Sequence, residues 1–524
     1  MSASREKKNR QDQVSSGWSD PKTAREAQQR KEEKRTNVLY TVIAVVFVVV
    51  AAAAIIWRSN IIQKTATAAT IDGEKYNAAE VTFYYQNVYR SFLNNNYYFL
   101  SYLGIDMNTP LESQTISSAA ASMVGAEEGQ SWKDYFTAQA LDQMAAVQAA
   151  LKAADAEGFT YPDSVQTEYA SSMESLKAAA VSSNMSVSQY LASNLGGTMT
   201  EKVYGDQLMR MLQYSAYSQA YEDSLTYTDA ELEDAYSADV NSYDKVAYES
   251  VLVNGSAEST TDDEGNTVEP TEEEEAAAKE AAKAAADSIY AAWQAGESLE
   301  ALAEDNDKAS YTNMDAATYA SSVLMDWLFD DARKEGDSTV LESGSNYYVV
   351  VFHSRFREDY NTVSVRHILL MVDESELDAE SETYEADLQA RKDETKAEAE
   401  ELLAQWKSGE ATEDSFAALA NEKSEDGGSN TSGGLYSQFP KGYMVQEFND
   451  WSFDPARKSG DTGIVYGEST SYKGYHIMYF VDTDLPYWQV QVTSDLKNEA
   501  VAQWSETFTQ DHTIEQGSGM KYVG

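Results

Sequence analysis

The side chains able to do chemistry are few. Among 524 residues there are four histidines, His353, His367, His476 and His512, and no cysteine. Without a thiol there is no disulfide, no thiolate metal site and no cysteine nucleophile. Carboxylates are abundant, 87 Asp and Glu against 39 Lys and Arg. Runs such as "DDEG" (262–265) and "EEEE" (272–275) lack the regular ligand spacing of a dedicated calcium site and read as solvated surface. What stands out is a Gly/Ser-rich acidic loop, "EDGGSNTSGG" at 425–434. Loops of this composition on a small scaffold commonly carry function.

That loop belongs to one copy of a repeat. "WLFDDARKEGD" (327–337) and "WSFDPARKSGD" (451–461) agree at eight of eleven positions. Self-similarity at so long a period predicts a duplicated structural unit. Residues 244–357 and 363–482 each follow one order: strand, long acidic helix, second helix, short helix, two closing strands. Trp293-x-x-Gly296-Glu297 matches Trp406-x-x-Gly409-Glu410, and the spacing to the next shared tryptophan is eleven residues longer in the second copy. The added length holds the loop.

In the second copy, "VRHILL", "FAALANEKSEDGGSNTSGGLYSQFPKGYMVQEFNDWSF" and "GYHIMYF" occur in the order of the signature blocks of parvulin-type peptidyl-prolyl cis/trans isomerases. The resemblance covers roughly residues 363–482. It implies a small antiparallel sheet with helices, and His367 and His476 as paired histidines beneath the site. It also implies Asp426 near the reacting imide and Ser471 as a hydroxyl supporting the histidines. Met444 and Phe448 would hold the proline ring, with Phe439 and Tyr436 in the same pocket. Two positions depart from the family pattern "GGDLG": Leu435 stands for an Asp and Tyr436 for the pocket Leu, changes expected to narrow or reshape the pocket and weaken activity. Aligning the copies puts Ser250 at the place of His367 and Tyr348 at that of His476. Ala320 and Leu324 take the places of Met444 and Phe448. The first copy is then a degenerate parvulin-like unit, used for binding or spacing. His353 and His512 read as structural.

Isomerisation suits such a residue set. Rotation about a peptide bond meets a barrier of ~18–20 kcal/mol, and an X-Pro bond left alone takes tens of seconds or more. No bond breaks, so the reaction calls for no cofactor and no metal.

The remaining chain must position and deliver these units. Residues 1–37 hold ten basic and six acidic residues, a net of +4, so the rest carries −52 of the total −48. Between them lies the uncharged run 38–57, "VLYTVIAVVFVVVAAAAIIW". Twenty residues at ~1.5 Å each span a bilayer core. Arg30, Lys31, Lys34 and Arg35 precede it, which places the N-terminus in the cytoplasm and the bulk of the chain outside the cell membrane. A cleaved signal peptide is the rival reading, though the run exceeds the usual ~7–15 apolar residues. The strong negative charge argues against a nucleic-acid partner.

After a linker, 58–69, residues 70–243 read as mainly helical. "SWKDYFTAQALDQMAAVQAALKAADAEG" is an amphipathic helix closed by Gly158, and Thr228 with Glu231 forms a capping box. Tyr84, Tyr85, Tyr89, Tyr97, Tyr98 and Tyr102 either fill this helical core or line a groove for unfolded chains. The tail 486–515 is expected to return and complete the helical domain. The layout of anchor, helical domain, two α+β parvulin-like units and tail is similar to the PrsA/SurA type of extracytoplasmic foldase and chaperone. It implies newly exported, unfolded polypeptides with X-Pro segments as partners, and leaves a homodimer open. Two functions fit: a prolyl isomerase fused to a chaperone domain, or a non-catalytic holdase whose parvulin units only bind clients.

Overall fold

The computed structural model describes residues 41–51, 65–262 and 265–524, with the single positions 5, 7, 8 and 63. Of the predicted anchor 38–57, residues 41–51 are described and helical; the rest of it, with nearly all of the basic segment 1–37, lies outside the described residues. Among the described residues no helix is long and apolar enough to cross a membrane. The described chain falls into two compact units, one running to Leu225 and including Glu499–Gly524, the other spanning Thr226–Asn498.

The first unit opens with a hairpin, β1 (Thr67–Ile71) and β2 (Glu74–Asn77). Its two-residue turn is Asp72-Gly73, both at positive φ (50° and 82°), the Asp-Gly signature of a tight hairpin. Asn77 then caps α1 (Ala78–Asn95): its side chain accepts from the N–H groups of Ala79 and Glu80, while Glu80 accepts from Asn77 N–H at 2.7 Å. Helices α2 (Ser118–Val124), α3 (Trp132–Glu157), α4 (Asp163–Ser182), α5 (Val187–Leu195) and α6 (Glu201–Ser224) follow. Gly158 ends α3 in the left-handed conformation. Trp132, Phe136, Tyr84 and Tyr85 are buried at the centre.

The six tyrosines divide. Tyr84 and Tyr85 are core, but Tyr97, Tyr98 and Tyr102 are 70%, 90% and 69% exposed. The helical period that aims aromatics inward stops with α1, whose C-cap is Asn96 in an Asn-Asn-Asn run. Beyond it a short 3-10 turn carries the next rings outward.

The second unit begins with α7 (Asp229–Ala238), capped by the Thr228/Glu231 box, and α8 (Val240–Tyr243). The first repeat then supplies β3 (Lys245–Val253), a small hairpin of β4 (Thr260–Thr261) and β5 (Thr267–Val268), α9 (Glu272–Gln294) and α10 (Leu299–Glu304). After these come β6 (Ala309–Thr318), α11 (Val323–Leu328), β7 (Ser338–Ser343) and β8 (Asn346–Phe356). "EEEE", read above as solvated surface, is the first turn of α9. Thr271 and Glu274 form a capping box there, and four carboxylates suit the positive end of a helix.

The second repeat gives β9 (Asn361–Met371), α12 (Tyr384–Ser408), α13 (Glu413–Lys423), β10 (Leu435–Phe439), α14 (Gln446–Ser452), β11 (Thr462–Glu468) and β12 (Lys473–Pro486). The sheets have one topology: β6-β3-β8-β7 and β10-β9-β12-β11, antiparallel throughout. Each contains a strand, β6 or β10, missing from the element order read in the sequence.

The repeated sequence builds a repeated turn. Arg333 lies 4.6 Å over the ring of Trp327 and Arg457 4.4 Å over Trp451. Asp330 and Asp454 each accept the N–H two residues on, at 2.9 Å. Lys334 N–H donates to Asp337 and Lys458 N–H to Asp461. Gly336 and Gly460, at φ 83° and 89°, turn the chain into the closing strands. Every shared polar residue has a turn contact, which explains why the words recur.

The chain ends in α15 (Tyr487–Glu506) and β13 (Ile514–Gln516). Trp488 and Val492 are buried with Leu232 and Tyr243 in the second unit. In the first unit, Trp504 stacks on Tyr221 at 4.9 Å, Val523 is buried in the main core, and β13 pairs antiparallel with β1.

Candidate functional site

The two central strands of the second repeat set the histidines. Met478 on β12 pairs with His367 on β9, and His476 with Leu369. The histidines are thus diagonal neighbours on one face, both 3% exposed. Their Nδ1 atoms are 3.0 Å apart and share one proton. A strand face brings i and i±2 positions of adjacent strands within reach of large side chains.

The loop between α13 and β10 lies across this face, fastened by its backbone. Glu425 N–H donates to Leu369 O, Ser424 Oγ accepts from Leu369 N–H, and His367 N–H donates to Gly434 O at 2.8 Å. A Cβ on Gly434, at φ 69°, would lie 2.1 Å from His367 O, so only glycine allows this approach.

The fastening delivers Asp426. Its Oδ2 accepts from His367 Nε2–H (2.9 Å), Ser429 Oγ–H (2.5 Å) and Tyr436 O–H (3.0 Å), and its Oδ1 from Gly428 N–H (3.1 Å). The His367 bond is the main reason its carboxyl lies far below the usual carboxylate range; burial opposes the shift, and Ser429 and Gly428 add to it. At the other end, Tyr472 O–H meets His476 Nε2 at 3.0 Å. Burial, then the neighbouring His367, pushes the His476 imidazole down to about 3, so it is neutral at physiological pH. Tyr472, His476, His367, Asp426 and Tyr436 form one hydrogen-bonded line. Burial, then Asp426, pushes the Tyr436 phenol up to about 12, so it stays a donor.

Above the line opens a cleft of about 460 Å³. Met444, Val445 and Phe448 form its apolar wall, with Leu369, Met371 and Tyr443 around the mouth. Phe448, 1% exposed, sets its ring edge-on to both histidines at 5.3 Å. Thus His367, Asp426, His476, Tyr436, Met444 and Phe448 come together. Two residues named from the sequence do not join them as expected. Phe439 lies behind Phe448, centroids 6.0 Å apart, and does not line the cleft. Ser471 lies at the cleft but bonds Ser469 Oγ; the hydroxyls on the histidines belong to Ser429 and Tyr472. Tyr472, adjacent to Ser471, faces the ring because the β11–β12 connection turns it inward, a feature with no signature in the sequence. Ser429 sits within the loop already marked by composition.

The first repeat repeats the register. Ser250 pairs with Val350, two residues past Tyr348, the same offset as His367 and His476. Only a short link joins α10 to β6, where the second repeat has the Asp426 loop. Leu324 is buried in that copy's own core and Ala320 is exposed. His353 bonds Glu249, and His512 bonds Asp72 and the carbonyl of Phe508. Among the described residues no group of three or more His, Asp or Glu could hold a metal.

Residues 347–483 match the family model of the PPIC-type PPIASE domain. No curated protein matches the chain. Among solved structures it is similar to peptidylprolyl isomerase PrsA from Bacillus anthracis, at 23% identity and TM-score 0.18, over 29% of this chain and 58% of that one. PrsA from Bacillus cereus is 16% identical at TM-score 0.18, over 78% and 90% of the two chains. A Campylobacter jejuni protein described among the SurA-like chaperones PEB4 and Cj1289 is 14% identical at TM-score 0.17, over 77% and 95%. The family match begins on β8, the last strand of the first repeat, and runs through the whole second sheet. Residues 347–483 therefore hold a PPIC-type peptidyl-prolyl isomerase domain of the parvulin type.

Proposed function

We propose that the chain is an anchored extracytoplasmic foldase. Its second repeat isomerises X-Pro bonds in newly exported, unfolded polypeptides, and its helical part, residues 70–243 with 486–515, acts as the chaperone domain. The uncharged run 38–57 behind a basic segment supports a single membrane span with the N-terminus in the cytoplasm. The observation that carries the catalytic reading is the hydrogen-bonded set His476–His367–Asp426 at the floor of an apolar cleft.

The proline ring enters between Met444 and Phe448 and leaves water behind. The twisted amide is less dipolar than the planar one, so a dry slot favours it. Asp426, held ionised by four donors, and the hydrogen-bonded His367–His476 pair present a fixed field to the imide as it turns. The chain needs no nucleophile, since no bond is made or broken.

A second reading, a holdase that binds without turning over, is favoured by Tyr436, whose hydroxyl bonds Asp426 and occupies space at the cleft. A protease-coupled prolyl-peptide assay on the full chain separates the two. Foldase activity should fall by about 10²-fold in Asp426→Ala and His367→Ala, and stay unchanged in Ser250→Ala and Tyr348→Phe. No activity in the native chain would leave the holdase.

A further inference from the structure

The first repeat kept the fold without the site, and one edge of its four-stranded sheet differs from the other edges of the two four-stranded sheets. We infer that β6 is a docking edge for an extended polypeptide segment, which adds to the sheet as a fifth strand. The inference rests on the reading that the chain's clients are unfolded polypeptides.

An edge strand presents a row of unpaired N–H and C=O groups, and natural sheets blunt such rows with Lys, Pro, bulges, short length or cover. The other three edges of the two four-stranded sheets are blunted. β10 is five residues long, loses register between Tyr436 and Phe439, holds Gln438 at φ 50° and runs into Pro440. β7 and β11 are half-buried along nearly their whole length.

β6 has none of these protections over Ala309–Met314. This stretch pairs with Val253–Tyr248 in unbroken register. It contains no charge and no proline, in a chain of net charge −48. Ser310, Thr312, Asn313 and Met314 are exposed. Among the described residues, no backbone group of Ser310–Ala317 bonds outside the β3 ladder. The first irregularity comes only after Met314, with Asp315 beside it.

What such an edge recognises follows from its chemistry. Alternate residues point N–H and C=O away from β3, so the complement is another extended main chain. Flanking side chains are small or neutral, so selection for client side chains is weak and charge is not required. A strand-adding edge beside an isomerase would hold a client extended while its prolines are presented.

The test uses the full chain and a short, capped, uncharged peptide of alternating threonine and valine. Lacking proline, the peptide does not report on the prolyl cleft. Hydrogen exchange should slow about tenfold or more at amides within 309–314 when the peptide is added. A peptide N-methylated at alternate residues should give no slowing. Thr312→Pro and Asn313→Pro form a pair, because neighbouring residues point their N–H groups to opposite sides. One loses a bond to β3; the other loses only an outward group, stays folded, keeps its activity on a prolyl peptide and should lose peptide binding.

Slowing elsewhere, or none, overturns the proposal. So does protection of 309–314 without peptide that grows with protein concentration, which would assign the edge to a second copy. Prolyl-peptide activity measured in the same samples tests the isomerase reading separately.

Discussion

At the scale of single residues, the titrations of Asp426 and His476 both tie stability to pH. His476 is held neutral, its imidazole pushed down to about 3 by burial and His367. Below the ordinary histidine value of about 6.5 the unfolded chain takes a proton that the folded chain refuses. Stability from this group is therefore full at neutral pH and falls as pH drops from about 6.5 toward 3. Asp426 acts in the same direction in a lower window. Its contribution is present above the ordinary carboxylate value and is lost as pH falls through its depressed folded value. The second unit should lose up to about 1.4 kcal/mol per pH unit between pH 6 and 4 from His476 alone. Urea unfolding across that range should show a shallower slope in His476→Gln. An equal slope in the variant would remove His476 as the source. Tyr472→Phe isolates the other end of the line. It keeps the ring and deletes the 3.0 Å bond to His476, and should cost about 1 kcal/mol by the same measurement.

At the scale of elements, the site depends on one glycine that lets a loop approach a strand. Gly434→Ala would force Cβ against His367 O and Ala420 and lift the loop that carries Asp426. We expect prolyl isomerisation to fall at least about tenfold and the second unit to lose about 1–3 kcal/mol. Gly427→Ala, with open space at its Cβ, should be nearly neutral; equal losses in both would show that the loop is merely intolerant. The same contacts explain what the sequence can and cannot tell. Strand β8 and the capping box at Thr228 are legible because their signals are local, a β-branched run or a spacing of three. His367, Asp426 and His476 are legible only through the likeness of their blocks to a family. Strands β6 and β10 are hidden because both are edges with largely exposed or mixed faces, so hydrophobic alternation is weak. Tyr472, like the outward turn of Tyr97 and Tyr98, depends on where a neighbouring element ends, which no local pattern encodes.

At the scale of the whole molecule, the two compact units are threaded unequally. Every core cluster of the second unit lies within 226–498. The first unit draws its core from both ends of the chain. Val523 is 2% exposed in the main cluster beside Trp132 and Phe136, and Trp504 and Phe508 pack on Tyr217 and Ala150. β13 also covers one edge of β1. Cutting after Asn498 should thus leave the second unit's transition and its prolyl-peptide activity unchanged. The first unit should lose the burial of Val523, part of that of Trp504 and Phe508, and a strand pairing. At ~25 cal/mol per Å² of apolar surface this comes to at least about 3 kcal/mol, or roughly 6–12 °C for a unit of this size. Calorimetry on the full and truncated chains reads both transitions at once. A first-unit melting point that stays put would make residues 499–524 a dispensable appendage. A loss confined to the second unit would mean that the chain closes its cores in a different order from the one drawn here.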